Sequence, residues 1–330
     1  MAQNIKNKIS FFETEDNEKI YLSKSLKNYD AKFFKEKLSE KSIPKIKDTE
    51  ILVVFIYSKV TKEIIDQLPK LKCICTRSTG FDHIDVKYAN SKNIPVCTVP
   101  FYGDNTVAEH AFALALALSR KIIPSVERTK KLNFHYEGLV GFDLKGKNIG
   151  LVGTGRISAY AAKIAQGFGM NILGYDVFQN PDLVKDYNLK YVELDYLLRN
   201  SDVVSLHVPL NAHTKHIINS KNIVLMKSNA IIINTARGGL IETECLYNAL
   251  KNKKIAGAGL DVLEEEKEIS DKNNKVSQFN KKLLAMENVL VTPHNAFNST
   301  EALQRIMDTT IENIKAYLAG KPQNPAPVMK

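Results

Sequence analysis

An α/β protein built from doubly wound parallel sheets is what this sequence predicts, and three features predict it. Short apolar runs alternate with helical stretches along nearly the whole chain, and strands that alternate with helices pair in parallel. Several runs are apolar on both parities, as strands covered on both faces must be; residues 51–57 (ILVVFIY) are the plainest. A glycine turn, Gly153-Thr154-Gly155, joins an apolar strand directly to a helix. The length of 330 residues suggests about two domains.

In the first hundred residues strands are predicted at 9–13, 51–57, 71–76 and 95–99, with helical stretches such as 61–68 between them. Pro100-Phe101-Tyr102-Gly103 breaks this rhythm and marks the first domain boundary. Thr106-Val107-Ala108-Glu109 has the form of a capping box and should open a helix reaching Arg120. Residues 111–118 of that helix are apolar almost all round, which predicts burial between layers or between subunits, and hence a homodimer. Strands resume at 148–152, 171–175, 203–207, 230–234, 256–260 and 289–291, with helices at 157–168, 194–199, 221–226 and 242–250. Residues 264–282 turn polar and lose period, which predicts a long loop. Leu303, Ile306, Met307, Ile311, Ile314 and Leu318 keep helical spacing across 299–318, and Gly320 is a fitting stop.

Composition removes several function classes. With 44% hydrophobic and 25% charged residues the chain is too apolar for wholesale disorder. No apolar run reaches the roughly 18–20 residues of a membrane span. The first six residues carry no apolar signal core, so a cytoplasmic protein without membrane association is expected. The four cysteines show no CxxC or Cys/His spacing and read as buried structural thiols, with no metal site expected. The net charge of +10 comes from lysines scattered among acids, without a basic-aromatic block, so no nucleic-acid partner is expected. The positive field would favour an anionic substrate or cofactor.

The turn at 153–158 reads GxGxxS, flanked by strand and helix, and the next strand ends in Asp176, 23 residues after Gly153. That context is a dinucleotide-binding pattern. Gly153 permits the tight turn, and Gly155 lets a pyrophosphate approach the positive helix N-terminus opened by Arg156 and Ile157. Ser158 replaces the glycine that brings helix and strand together, and a slight shift is expected there. Asp176 should bind the adenosine ribose hydroxyls and repel a 2′-phosphate, and Val177 and Phe178 supply no arginine, so NAD is favoured over NADP.

Open parallel sheets bind ligands at the carboxyl ends of their strands. In strand order those ends carry Gly153, Asp176, His207-Val208-Pro209, Thr235-Ala236-Arg237, Asp261 and His294. All of these but His294, together with Gly155, Arg156, Ile157 and Thr214, are the residues expected along the cofactor. Reduction of a carbonyl beside a nicotinamide needs a proton donor, for which His294 is suited, and a cation that grips an acid, for which the planar fork of Arg237 is suited. A carboxylate beside His294 would hold its acid form near neutral pH; spacing alone leaves Glu264, Glu265 and Glu266 as equal candidates. His83, His110, His135, His213 and His216 read as packing or surface residues.

Through RSTGFDHID (77–85), NTVAEHAFAL (105–114), GLVGTGRIS (150–158), HVPL (207–210), NTARGG (234–239), AGAGLDVLEEE (256–266) and TPHNAF (292–297), the sequence resembles the D-isomer-specific 2-hydroxyacid dehydrogenases over nearly its whole length. The resemblance implies a Rossmann cofactor domain (103–297) inserted into a smaller flavodoxin-like substrate domain (1–102 with 298–330). It implies Arg237, Glu266 and His294 as the catalytic set, with Glu266 singled out by its place five residues after Asp261. It gives the substrate carboxylate to backbone amides in Ser78-Thr79-Gly80, with Arg77 either adding charge nearby or pairing at the surface or between domains. The opening FFETEDNEKIYL, Tyr102 and Phe297 are most similar to the D-lactate and D-2-hydroxyisocaproate branch, which implies NADH-dependent reduction of pyruvate or a similar 2-oxo acid. Glyoxylate/hydroxypyruvate reductases, phosphoglycerate dehydrogenases and NAD(H)-sensing corepressors are the alternatives within the same family.

Overall fold

Ile51-Leu52-Val53-Val54 is buried at every residue, and the reason is a sheet with both faces covered. A computed structural model of the chain describes residues 7–264 and 278–327. It divides into two compact units, Met1–Tyr102 with Ser299–Lys330, and Gly103–Asn298.

The first unit holds β1 (Lys8–Phe11), β2 (Asp30–Phe33), β3 (Ile51–Val54), β4 (Cys73–Thr76) and β5 (Val96–Cys97), ordered β2-β1-β3-β4-β5. Every pairing is parallel. Alternate residues serve opposite cores. Leu52, Val54, Ile74 and Val96 join one cluster; Ile51, Val53, Cys73, Cys75 and Cys97 join the other, under Met307, Ile311 and Ile314 of the helix Thr300–Leu318. Each such buried aliphatic side chain contributes roughly 1.5–3 kcal/mol. Ser299 caps that helix, its side chain accepting from Ala302 N. Cys97 lies far from Cys73 and Cys75 in sequence, yet the register sets it opposite Cys75.

The second unit holds β6 (Asn148–Val152), β7 (Asn171–Tyr175), β8 (Lys190–Tyr191), β9 (Val203–Leu206), β10 (Ile231–Asn234), β11 (Gly257–Leu260) and β12 (Val289–Val291). Their order is β12-β11-β10-β9-β6-β7-β8, all parallel. The chain moves outward from β6 to β8, then returns beside β6 as β9. The reversal leaves a crevice at the carboxyl ends of β6 and β9, the usual ligand position in such sheets.

Five expectations need correction. β2 and β8 were not predicted; both are short strands at sheet edges with mixed polarity, so neither shows an apolar run. The long helix begins at Asp104 with Gly103 as its N-cap, and Thr106 is buried inside it, so the apparent capping box is helix interior. Residues 111–118 are packed against this unit's own sheet: Leu114, Ala115 and Leu118 cluster with Leu151, Ile231 and Ile233. Burial between layers, not between subunits, explains their apolarity. Where a helix was expected at 221–226 there is a single 3-10 turn, Ile223–Leu225. Of the loop expected at 264–282, residues 265–277 lie outside the described residues, and Gln278–Leu284 is helical where the loop was expected to continue. Among the described residues no helix is long and apolar enough to cross a membrane.

Candidate active site

β6 runs straight into Gly153, whose φ is +96°. A Cβ there would lie 2.7 Å from Val208 N and 2.8 Å from the His207 carbonyl carbon. Conformation and space therefore both require glycine. Gly155 caps the helix Arg156–Gly167, is exposed, and a Cβ on it would meet nothing within 4 Å. The helix N-terminus behind it is open to an anion. Ser158 is fully buried and its Oγ donates to Gly153 O at 2.6 Å. The serine thus ties the first helical turn to the glycine turn, where a slight shift had been expected.

Asp176 follows β7. Its carboxylate accepts from Thr154 N at 2.6 Å, Thr154 Oγ1 at 3.2 Å and Phe178 N at 3.1 Å. Tyr191 OH reaches Thr154 Oγ1 at 2.9 Å and accepts from Asn180 N at 2.6 Å, bracing the same corner. A carboxylate offers about four acceptor positions, so three donors hold its charge in place without filling it. Val177 and Phe178 are exposed. Arg156 pairs with Asp104, through Nε at 3.0 Å, and Ile157 is half-buried.

After β9, His207 Nε2 lies 2.9 Å from Ser205 Oγ, and loss of water contact pushes its pKa down to about 4. The ring is neutral at neutral pH. Val208 is buried and Pro209 exposed. Thr214 Oγ1 donates to Pro209 O at 2.5 Å and accepts from Asn211 N at 2.8 Å, closing that loop. After β10, Thr235 is buried and its Oγ1 has no hydrogen-bond partner. An unmade bond of this kind costs about 1–3 kcal/mol. An open helix N-terminus, a fixed carboxylate and an orphaned hydroxyl along one sheet edge fit a polar dinucleotide.

Asn234 shapes the turn that carries Arg237. Its Oδ1 accepts from Ala236 N at 3.0 Å and its Nδ2 donates to Arg237 O at 2.9 Å. Arg237 NH1 donates to Ala236 O at 2.8 Å. Gly238 packs on bare backbone, since a Cβ there would be 2.1 Å from the Leu263 carbonyl carbon and 2.3 Å from Glu264 N. Neither atom can give way. Gly238→Ala is therefore expected to displace Arg237 and lower kcat/KM by about 10²-fold. Gly239→Ala should be tolerated, because its Cβ would meet only the Leu210 side chain, at 3.1 Å. Initial rates on the two variants decide this; equal rates would remove Gly238 from the account.

Asp261, after β11, organises the next turn. Its carbonyl accepts from His294 N at 2.8 Å. Its carboxylate accepts from Asn295 N at 3.0 Å, Ala296 N at 2.9 Å and Thr292 Oγ1. His110 Nε2 lies 3.0 Å from Thr292 Oγ1 and 3.6 Å from Asp261 Oδ1. Asp261 was expected along the cofactor; it is 1% exposed and its carboxylate is committed to the turn that presents His294. His294 itself is half-buried, in the left-handed region at φ +51°. Such strain in a non-glycine residue persists only where its surroundings enforce it.

Of the three adjacent glutamates, Glu264 has a structural task. Its Oε1 is 2.7 Å from His216 Nε2 and its Oε2 accepts from Thr243 Oγ1 at 2.8 Å. Burial pushes its pKa up, but these hydrogen bonds outweigh it and hold the carboxyl below the usual range. Glu265 and Glu266 lie outside the described residues. His110 and His216, read from sequence as packing or surface residues, thus brace the two turns of the site; no local pattern marks them.

In the first unit, Ser78 Oγ lies 2.7 Å from Thr76 Oγ1 and donates to Gly80 O at 2.7 Å. His83 Nε2 lies 3.2 Å from Thr76 Oγ1, and Thr79 Oγ1 donates to Val99 O at 2.8 Å. These bonds hold the loop whose amides were expected to take a carboxylate. Arg77 is neither a surface nor an interdomain residue: it is 1% exposed and pairs with Glu18 inside this unit. Tyr102 and Phe297 are half-buried, and Tyr102 O accepts from Arg305 Nε at 2.7 Å.

Residues 112–296 match the family model described as the NAD-binding domain of D-isomer-specific 2-hydroxyacid dehydrogenases. The chain is 38% identical to a 2-hydroxyacid dehydrogenase homolog of Haemophilus influenzae, over 95% of this chain and 97% of that one. It is 35% identical to D-lactate dehydrogenase of Escherichia coli, over 95% and 98%. Its structure is similar to that of D-lactate dehydrogenase from Aquifex aeolicus complexed with NAD and lactic acid, with a TM-score of 0.88, 38% identity, and 94% and 96% coverage.

Proposed function

The chain belongs to the D-isomer-specific 2-hydroxyacid dehydrogenases, and from that premise we propose that it reduces a small 2-oxo acid, pyruvate or a close analogue, to the D-2-hydroxy acid with NADH. One observation carries the reading. Asp176, Gly153, His207, Arg237 and His294 stand at the carboxyl ends of β7, β6, β9, β10 and β12, along one edge of one parallel sheet. β10 and β12 are separated only by β11, a span of about 10 Å at the usual strand spacing. A long guanidinium arm and an imidazole can close that span on one small acid.

NADH in this crevice would supply a hydride to the 2-oxo carbon. Asp176 would hold the ribose hydroxyls, and its fixed negative charge would repel a 2′-phosphate. Thr235 Oγ1 would gain the partner it lacks. Arg237 would hold the substrate carboxylate and polarise its carbonyl. In the first unit, the amides of Ser78, Thr79 and Gly80 are the groups we propose for binding a carboxylate. His294 would give the carbonyl oxygen its proton, with Glu266 as its carboxylate companion. The test is consumption of NADH with pyruvate, 2-oxoisocaproate, glyoxylate and hydroxypyruvate in parallel. Turnover should be greatest with pyruvate or 2-oxoisocaproate and poor with NADPH. Tight NADH binding without turnover would point to a sensing protein instead.

We also propose a homodimer, through a different surface from the one the sequence suggested. The helix Ile122–Lys130 has no buried residue. Leu132, Phe134, Tyr136 and Val140, just beyond it, are 85, 78, 80 and 84% exposed. So dense an apolar set calls for a partner surface. Phe134→Glu together with Tyr136→Glu should turn a dimer into a monomer in sedimentation at micromolar concentration; a wild-type monomer there would refute this.

A further inference from the structure

Cys73 and Cys75 sit two residues apart on β4 and so share a face, and parallel pairing sets Cys97 of β5 beside Cys75. The three sulfurs lie within 4.8 Å of one another, with Cys73 and Cys75 Sγ 3.9 Å apart. Three sulfurs on one pyramidal centre at bonds of about 2.3 Å lie about 3.5 Å apart, so a contraction of about half an ångström brings Cys73 and Cys75 to that spacing. The triangle is thus close to chelating size before any ligand arrives. All three residues have 0% exposure, and none is in a disulfide. Their surroundings are apolar, including Ile51, Val53, Ile311 and Ile314. Hydrogen bonding to Cys73 and Cys97, together with burial, pushes the Cys75 thiol well up, whereas hydrogen bonds from Cys73 and Cys75 hold Cys97 down, to about 4.

Charge then selects the ligand. Three thiolates on a monovalent or divalent cation would leave two or one uncompensated negative charges in this core, at several kcal/mol per buried ion. A trivalent centre leaves none, and soft thiolates prefer soft centres. We propose that Cys73, Cys75 and Cys97 form a binding site for a trivalent thiophilic element, with arsenic(III) as its probe. Neutral arsenous acid condenses with Cys73, Cys75 and Cys97, the Cys97 thiolate being balanced by one proton from solvent: three As–S bonds form, three As–O bonds break, and three waters leave. Nothing is oxidised or reduced, and no charge is buried. Entry is by the sheet edge. β5 is a two-residue edge strand covered by a terminal segment, through Thr98 N to Asn324 O and Ala326 N to Val96 O, both 2.8 Å. Local opening of such an edge is easier than global unfolding and makes binding slow.

The site does not depend on the dehydrogenase reading and is tested without turnover. The reduced full-length protein is incubated with sodium arsenite and desalted, then examined by native mass spectrometry and arsenic K-edge absorption. One adduct is expected, heavier by one arsenic less three hydrogens, with three sulfur ligands and no oxygen. Cys97→Ser removes one arm of the chelate and should weaken retention by about 10²-fold or more. Cys73→Ser should do the same, and circular dichroism shows that each variant is folded. Cys245→Ser, in the other unit, should change nothing. No retained arsenic, retention unaffected by the Cys97 and Cys73 variants, or tighter retention of Zn²⁺ or Cu⁺ than of arsenite would each overturn the proposal.

Discussion

His294→Asn is expected to lower NADH-dependent turnover by about 10²–10⁴-fold, the usual worth of a positioned acid–base group. Asparagine is the informative replacement because the backbone at 294 is left-handed, at φ +51°. Asparagine accepts that conformation more readily than most residues, so the turn survives while the titratable ring is lost. Alanine would confound the two. The turn has its own supports: Asp261 O takes His294 N, and the Asp261 carboxylate takes Asn295 N and Ala296 N. His110 and Thr292 stand behind that carboxylate. His110→Phe should therefore act in the same direction through loss of position, by less, and His110→Gln should recover part of the rate by restoring a polar partner for Thr292. NADH affinity, read by fluorescence, should stay near wild type in His294→Asn, since the glycine turn and Asp176 are untouched. Near-normal turnover in His294→Asn would remove His294 as the proton donor, whatever the cofactor affinity.

Why some of this was legible in sequence and some was not follows from distance along the chain. The run from Asn148 to Asp176 encodes strand, glycine turn, helix and strand in adjacent residues, and each local preference agrees with the fold. The order of ionisable residues at strand ends was readable for the same reason, because a strand's end is a local property. Ser158 was readable as a departure but not as a remedy: only coordinates show its hydroxyl bonded to Gly153 O. Contacts between distant segments left no local trace. His110 meets Thr292 across 182 residues, and His216 meets Glu264 across 48. Cys97 joins Cys73 and Cys75 only because β5 lies beside β4 in a particular register. Thr106 and Glu109 misled because a capping box also occurs by chance inside a helix, and here the N-cap is Gly103, three residues earlier.

Arg77→Met is expected to cost about 3–5 kcal/mol of stability, the largest loss from any single substitution considered outside the glycine turns. Arg77 is the bulkiest of the fully buried side chains among the described residues. Its NH1 donates to Glu18 Oε1 at 2.7 Å, and its NH2 donates to Phe12 O at 3.3 Å and to Glu13 O. The guanidinium carbon lies 5.0 Å from the centre of the Phe55 ring. Glu13 in turn accepts from Phe55 N at 3.1 Å and Tyr57 N at 2.8 Å. One cation therefore fastens the segment after β1 to the exits of β3 and β4, next to Ser78. Removing it leaves the almost equally buried Glu18 carboxylate with Glu15 N, on Oε2 at 2.9 Å, but no cation, and deprives two carbonyls of their donor. Lysine should not rescue, since a single ammonium cannot serve Glu18 and both carbonyls in the planar geometry the fork provides. The cost arises mainly from the stranded acid, so Glu18→Gln added to Arg77→Met should recover a substantial part of it. The shift in urea midpoint of the single and double variants measures both quantities. If Arg77→Met unfolds with the wild-type midpoint, the pair is not what secures this end of the first sheet, and the loop beside it must be held by Thr76, His83 and Val99 alone.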